Sequence, residues 1–593
     1  MTGSRQTRPQ RIITGRIASL SGDSGFGWLE AIAITDGRVS AAGRSADILP
    51  LAGADTEIWR LASDRIVIPG ITDAHLHLTD AALADRQLDL GGLLGVDSVL
   101  QAIAVVHARM TATGDTHGWL LGRGWSRDAM GRWPDADLLE RVAPGRPVAL
   151  WSHDHHSRWL SNAALRVAGI DTRAADPYGG RLGRDADGRP DGLLFEDAVS
   201  LLDGSIPEPV GDALGEAISH YSRRLAALGV VGVHDPGELS DDAAMPRGPR
   251  LYRQLALSGR LPLRVVSSVR EGQLAEAIGA GFRSGRRVLD RPLADIAATT
   301  AAARYHDGWL KLFADGALGS RSAALLEPYE ATDTAGPAVG GDRGMLLRTR
   351  DELEALAGSA AAADIAVQIH AIGDAAVRLA LDVLAGVPRK AAGVPRMAAG
   401  APGMAAGVRR TVPGAVHRIE HAQLVAPSDI ARFAALGVAA SMQPCHLVND
   451  AIAARAAWGR RAAYAFPLRS LDGAGALLPL GTDAPVESPD PWPGIAAAVT
   501  RSSGAWMAGA MAFYPEQGIP LWRAIRGACV DPARSIGVDD EGQLRVGARA
   551  DLIVLAAVCL DEPTRPGGAL ETARPLATLI DGSVVHRTAD FEH

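Results

Sequence analysis

The stretch Gly70-Ile71-Thr72-Asp73-Ala74-His75-Leu76-His77 carries two histidines spaced for metal chemistry. An apolar run, Ile66-Val67-Ile68, leads into it through Pro69-Gly70, so a strand is expected. Side chains two apart on a strand share a face. His75 and His77 then point together, with Asp73 on the same side. Two imidazoles converging on one point is the geometry of a metal site. Later strand ends supply His370, His421 and Asp483, in Gln368-Ile369-His370, Arg418-Ile419-Glu420-His421 and Gly481-Thr482-Asp483. One histidine at a strand end is ordinarily just a hydrogen-bonded residue. Four such ends in register are not a chance pattern.

The residue types suit water activation. Neutral imidazoles leave a divalent metal's charge intact, so bound water loses its proton near neutral pH and a carbonyl is polarised. A carboxylate beside that water can accept the proton and pass it to a leaving nitrogen. Asp483 is the candidate for this, and for a metal ligand as well. Lys311, in Trp309-Leu310-Lys311-Leu312-Phe313, is costly to bury unless paired or modified. The alternatives are a head that reaches solvent or pairs with Asp315. Arg321 is a candidate to hold a substrate carboxylate or carbonyl, with a surface salt bridge as the alternative. Gln443 and His446 are candidates for the pocket wall, and His234 and Asp235 for orienting the ligands. Cys445 lies between Gln443 and His446 but has no base-and-orienter arrangement, so no cysteine nucleophile is expected.

These residues need elements to carry them. Strand candidates fall at 66–74, 230–235, 263–269, 309–313, 365–370, 416–421, 438–443 and 477–483. Helical patterns at 271–281, 351–362, 375–384, 428–436 and 450–461 lie between them. This alternation predicts an α/β chain with a (β/α)8 TIM barrel, whose chemistry sits at the C-terminal strand ends. Both chain ends read as short strands with Asp36-Gly37 and Asp581-Gly582 turns, predicting a composite β-sandwich of residues 1–69 and 537–593 around a barrel of 70–536. About 90–215 is too long for a crossover and holds Trp119, Trp125, Trp133, Trp151 and Trp159, so an inserted lid subdomain is expected. The Ala-Ala-Gly repeats of about 386–413 have little to bury and read as a disordered insertion.

Composition sets the class. At 593 residues the chain needs more than one core. Hydrophobic residues make up 47% and charged residues 22%, as in an ordinary globular protein, and a net charge of -8 gives no footprint for nucleic acid or a membrane surface. No apolar run is long enough to span a bilayer, and the first ten residues have no apolar stretch behind them as a secretory signal would. The three cysteines are scattered, so a reducing cytoplasm is expected. A small-molecule substrate is the expected partner, with a homodimer as a candidate assembly.

Taken together, the chain resembles the metal-dependent amidohydrolase superfamily, and within it the amidohydrolase-3 group. The resemblance rests on Pro69–His77, Lys-Leu-Phe-Ala-Asp-Gly-Ala-Leu-Gly-Ser-Arg from Lys311 to Arg321, His370-Ala371-Ile372-Gly373-Asp374, Arg418–Gln423, Ser441-Met442-Gln443-Pro444, Gly481-Thr482-Asp483 and Val546–Leu555. It covers nearly the whole chain. It implies a barrel with a composite sandwich, one or two divalent metals, usually zinc, and hydrolysis of a non-peptide carbon–nitrogen bond in an amide-like, N-acyl or N-formyl compound. His75, His77, His370, His421 and Asp483 match the ligand positions. Lys311 matches a lysine that binuclear members carboxylate and use as a bridge. The inserted segment also matches, in Gly122-Arg123-Gly124-Trp125 and around His156, with His155 where the family has glycine. His156 and Glu196 are the pocket candidates there. Hydrolysis of another bond (ester, phosphoester, or ring deamination) and a non-catalytic binding or scaffold barrel are the alternative functions.

Overall fold

Two Asp-Gly pairs close hairpins at opposite ends of the chain. Asp36 and Gly37 have φ of 50° and 75°, and Asp581 and Gly582 have 49° and 69°. Positive φ at both central residues is what a type I′ hairpin needs, and Asp-Gly supplies it at little strain. The computed structural model describes residues 8–152, 157–177, 180–202, 204–207, 209–237, 248–287, 304–319, 321–330, 342–387, 414–506, 511–562 and 564–592, with backbone alone at 128, 196 and 197. The expected insertion at 386–413 lies almost wholly outside these residues. The chain divides into two compact units, Met1–Ala81 with Ile218–His593, and Ala82–Ala217.

In the first unit the hairpins belong to one eight-stranded sheet drawn from both termini. It comprises Arg11–Ala18, Trp28–Thr35, Arg38–Gly43, Glu57–Arg60, Arg65–Pro69, Leu552–Ala556, Ala577–Ile580 and Ser583–Arg587. Alternation gives it two apolar faces: Ile13, Ile32, Val67, Leu552 and Leu579 join one cluster, while Ile12, Ala31 and Ala33 pack on Ile48 on the other. The hydrogen bonding thus forms a single sheet, split where Arg11–Ala18 pairs in turn with Glu57–Arg60 and with Ile66-Val67.

The same unit holds a second, all-parallel sheet of seven strands: β1 (Ile71–Asp73), β2 (Val230–Asp235), β3 (Arg264–Arg270), β4 (Tyr305–Phe313), β5 (Val367–Ala371), β6 (Arg418–His421) and β7 (Ala439–Ser441). They pair in chain order. Residues 477–483 were expected as an eighth strand. They have no strand pairing beyond a Met442–Leu480 bridge. Their backbone still bonds on both sides, with Met442 N donating to Pro479 O (3.0 Å) and Ala74 N to Leu480 O (3.0 Å). The two edge strands therefore share a neighbour, and the fold is TIM-barrel-like. Pro479 cannot donate, which breaks the ladder there.

The expected strand at 66–74 is in fact two. Arg65–Pro69 pairs with Leu552–Ala556 in the terminal sheet, and only Ile71–Asp73 enters the barrel. Helix Arg350–Ala362 opens with a Thr349/Glu352 capping box. The helix expected at 450–461 starts earlier, at Pro444, and ends at Trp458, since proline favours the first helical position. Strand register sets out the site. Phe313, His370, Glu420 and Ser441 lie abreast across β4 to β7, with Lys311, Gln368 and Arg418 abreast two residues before. Apart from Phe313 the residues of both rows are polar, and Lys311, Gln368, Arg418, Glu420 and Ser441 are buried.

The second unit has its own six-stranded sheet. The tryptophans divide between its faces. Trp125 and Trp159 (ring centroids 6.1 Å apart) sit in a core with Val99, Ile103 and Leu139, while Trp119 packs on a second core of Ala149, Leu160 and Leu194. Trp151 lies under the Arg158 guanidinium, 4.2 Å from its ring centre.

Candidate metal centre

Strand pairing in β1 stops at Asp73, so His75 and His77 project from the loop beyond the strand rather than from the strand itself. Asp73 does not face the same point as the histidines. Its Oδ1 accepts the N–H groups of His75 (3.1 Å) and Thr482 (3.0 Å), and its Oδ2 accepts the Thr482 hydroxyl (2.6 Å). Burial raises this carboxyl to about 7 against those hydrogen bonds. Asp73 thus clasps the 477–483 segment to the first strand. Gly481 permits the clasp: a Cβ there would lie 2.4 Å from His75 N.

The buried His75 ring donates Nδ1–H to Glu420, and its Nε2 makes no hydrogen bond, 3.3 Å from Asp483 Oδ1. His77 donates Nδ1–H to Gly237 O and turns Nε2 to Asp483 Oδ1 at 3.4 Å. The His421 ring stands 5.0 Å from His75 and 4.6 Å from His370. One ligand atom each from His75, His421 and Asp483 lie within 4.8 Å of one another. His370 stands beside this group, its Nε2 donating to Gly316 O at 3.2 Å. His421 and Asp483 both have left-handed backbones, φ 70° and 63°. Such conformations cost energy in non-glycine residues and gather at functional sites. In strand geometry His421 would face away from Glu420; the φ change is what re-aims it.

Burial sets the charges. It lowers His75 to about 4 and His370 to about 3, with Lys311 adding to both, and holds His421 well below its usual value. These rings are neutral at pH 7, as metal ligation requires. His77 goes the other way: burial lowers it, but Asp483 outweighs this and raises it. Asp483 is held well below the carboxylate range despite burial, by His75, His446 and His77. Lys311 is 2% exposed, its Nζ 4.9 Å from the Phe313 ring centre, and burial brings its amine down to about 8. Among the described residues it makes no ion pair. Asp315 is engaged instead by the N–H groups of Ala324, Ile372 and Gly373 at 2.8–3.0 Å, so neither solvent nor Asp315 takes the lysine.

Sequence reasoning missed the group behind His75. Arg418 Nε donates to Glu420 Oε1 (2.8 Å), its other nitrogens to His234 Nδ1 (2.9 Å), Ala74 O (2.7 Å) and Ser441, and all of these side chains are buried. Arg418 and His75 hold Glu420 ionised despite its burial. The signal was the Arg-x-Glu alternation on an otherwise buried strand. His234 therefore serves Arg418 rather than a histidine of the cluster. Asp235 acts one step removed, accepting Gly237 N (2.8 Å) and so fixing the carbonyl that holds His77.

The remaining candidates separate. His446 joins the cluster, its Nε2 3.2 Å from Asp483 Oδ2. Gln443 is buried, with Nε2 on Ser441 O at 3.4 Å. Arg321 turns to Tyr329 (4.8 Å to the ring centre) and donates to Glu330 O (3.1 Å), while its Nε is buried without a hydrogen bond. Cys445 Sγ donates to Thr482 O at 3.2 Å, and burial pushes its thiol well up. His156 and the Glu196 side chain lie outside the described residues.

A TIM-barrel-like fold with imidazoles and a carboxylate gathered beyond the strand ends defines a class of hydrolytic metal sites. The Amidohydrolase family model matches residues 62–586, and the chain belongs to that family. It is 29% identical over 565 residues to the putative amidohydrolase YtcJ of Bacillus subtilis, covering 94% of this chain and 96% of that one. It is 26% identical over 589 residues to an N-substituted formamide deformylase of Arthrobacter pascens, covering 97% and 98%. In fold it is similar to an uncharacterized metal-dependent hydrolase from Pyrococcus furiosus, with TM-score 0.68, 24% identity, and 92% and 98% covered.

Proposed function

We propose that this chain is a metal-dependent hydrolase that cleaves a non-peptide carbon–nitrogen bond in a small amide, N-acyl or N-formyl compound. One observation carries the reading. His75 Nε2 is buried with no hydrogen bond, and it faces Asp483 and His421 while Glu420 occupies the ring's other nitrogen. A buried lone pair aimed at other ligand atoms fits a cation. His75, His77, His370, His421 and Asp483 would hold a divalent metal, zinc by the nitrogen-and-oxygen donor set, and Lys311, as a carbamate, would serve a second. When bound, the metal supplies Lewis-acid activation of water and of the substrate carbonyl.

The chain's own residues do the rest. Asp483, ionised at neutral pH, takes the proton of the attacking water and returns it to the departing nitrogen. Glu420 keeps the proton of His75 on Nδ1, so Nε2 stays a lone pair. Asp73 and Thr482 fix the segment that presents Asp483. The chemistry is assigned to residues 70–536, with the chain ends, 1–69 and 537–593, as a β domain of their own. The relative named for formamide deformylation supports the substrate class. The three cysteines are free and buried, which suits a cytoplasmic setting, and among the described residues no helix is long and apolar enough to cross a membrane.

A turnover screen of the metal-loaded protein tests the reading. N-substituted formamides and N-acyl amines should release amine, with ester and ring-amine compounds as controls. Turnover of the controls alone, or of nothing, removes it.

A further inference from the structure

The two oxygens of Asp483 have different surroundings. Oδ1 faces His75 Nε2 at 3.3 Å and His77 Nε2 at 3.4 Å. Oδ2 instead accepts from His446 Nε2 at 3.2 Å. On the far side of that ring, Nδ1 meets Glu487 Oε1 at 3.3 Å. Glu487 is itself fixed by Asn449, whose Nδ2 donates to its two oxygens at 2.8 and 2.7 Å. His446 and Asn449 stand three apart on the helix Pro444–Trp458 and so share a face. Asp483 and Glu487 come from the segment beyond Leu480. The ring is the bridge on which helix and segment close. With a carboxylate at each nitrogen, His446 has none left for a metal or a substrate, although its ring lies 5.9 Å from His421.

We propose that His446 is a positioning residue for Asp483: backed by Glu487 and Asn449, it pins Oδ2 so that Oδ1 alone is presented to the histidine pair. The kinetic consequence rests on the hydrolase reading above; the geometric one does not. A free carboxylate rotates about its last bond, and the ring removes that freedom.

Metal-loaded His446→Ala, His446→Gln and Glu487→Gln are compared with the unaltered protein on an N-substituted formamide that it hydrolyses. His446→Ala should lower kcat about 10–100-fold, with KM and metal content unchanged. His446→Gln, whose amide can still donate to Oδ2, should recover part of the loss, and Glu487→Gln should fall between. A raised KM at unchanged kcat would make the ring a substrate contact, lost metal would make it a ligand, and unchanged kinetics would leave it idle; each overturns the proposal. If the unaltered protein hydrolyses no formamide, the hydrolase reading fails by itself. Crystal structures of the unaltered and His446→Ala proteins then decide. A carboxylate turned away from His75 and His77 in the variant supports the proposal, and an unmoved one contradicts it.

Discussion

Glu420 accepts the Nδ1–H of His75, and both side chains are buried. The contact fixes the tautomer of the ring and leaves Nε2 as a lone pair toward Asp483. Arg418 grips both oxygens of the same carboxylate, at 2.8 and 3.1 Å, so three hydrogen bonds from two side chains set its orientation. Glu420→Gln keeps the shape and discards the charge. Its affinity for zinc, measured by competition with a chelator, should fall about 10–100-fold. Undiminished affinity would show that the pair serves only the fold.

Asp483→Asn keeps an oxygen toward His75 and His77 but cannot accept a proton. Metal content should hold while kcat falls about 10²–10⁴-fold, the range for a lost general base. Full turnover in this variant would remove the base from Asp483.

Stability should depend on pH through Asp540, outside the site. It pairs with Arg38 (2.9 Å) and Arg287 (3.2 Å). Burial works to raise this carboxyl, but Arg287, Arg549 and Arg38 hold it well below the carboxylate range. Its folded pKa is thus below the unfolded value of about 3.9, so its contribution is present above pH ~4 and lost as pH falls through the folded value. Asp540→Asn should destabilise by about 1–3 kcal/mol at pH 7. Urea midpoints across pH should show the gap to the unaltered protein narrowing below pH ~4. A gap of equal size at pH 3 and pH 7 would contradict the assignment.

Much of this was legible because periodicity and residue type report the same thing. Apolar runs ending in histidine mark where buried parallel strands open, and Asp-Gly fixed both terminal hairpins. What sequence spacing could not convey was direction. Asp73 shares a strand-face parity with His75, yet the chain leaves strand geometry at Ala74 and Asp73 turns to Thr482. His421 has the wrong parity and reaches the cluster through a left-handed backbone. Glu420 and Arg418 looked like part of a motif, and only the register against Ser441 and the approach of His75 give them a task. His446 was legible as a candidate, but not its contact with Asp483, because the helix carrying it begins at Pro444 and not after residue 450.

The most direct test of the account is the metal content of the purified protein and of the His75→Ala/His77→Ala double variant, by elemental mass spectrometry. One or two equivalents of divalent metal are expected in the former and loss of metal in the latter, with the fold retained by circular dichroism. Equal metal in both proteins would contradict it.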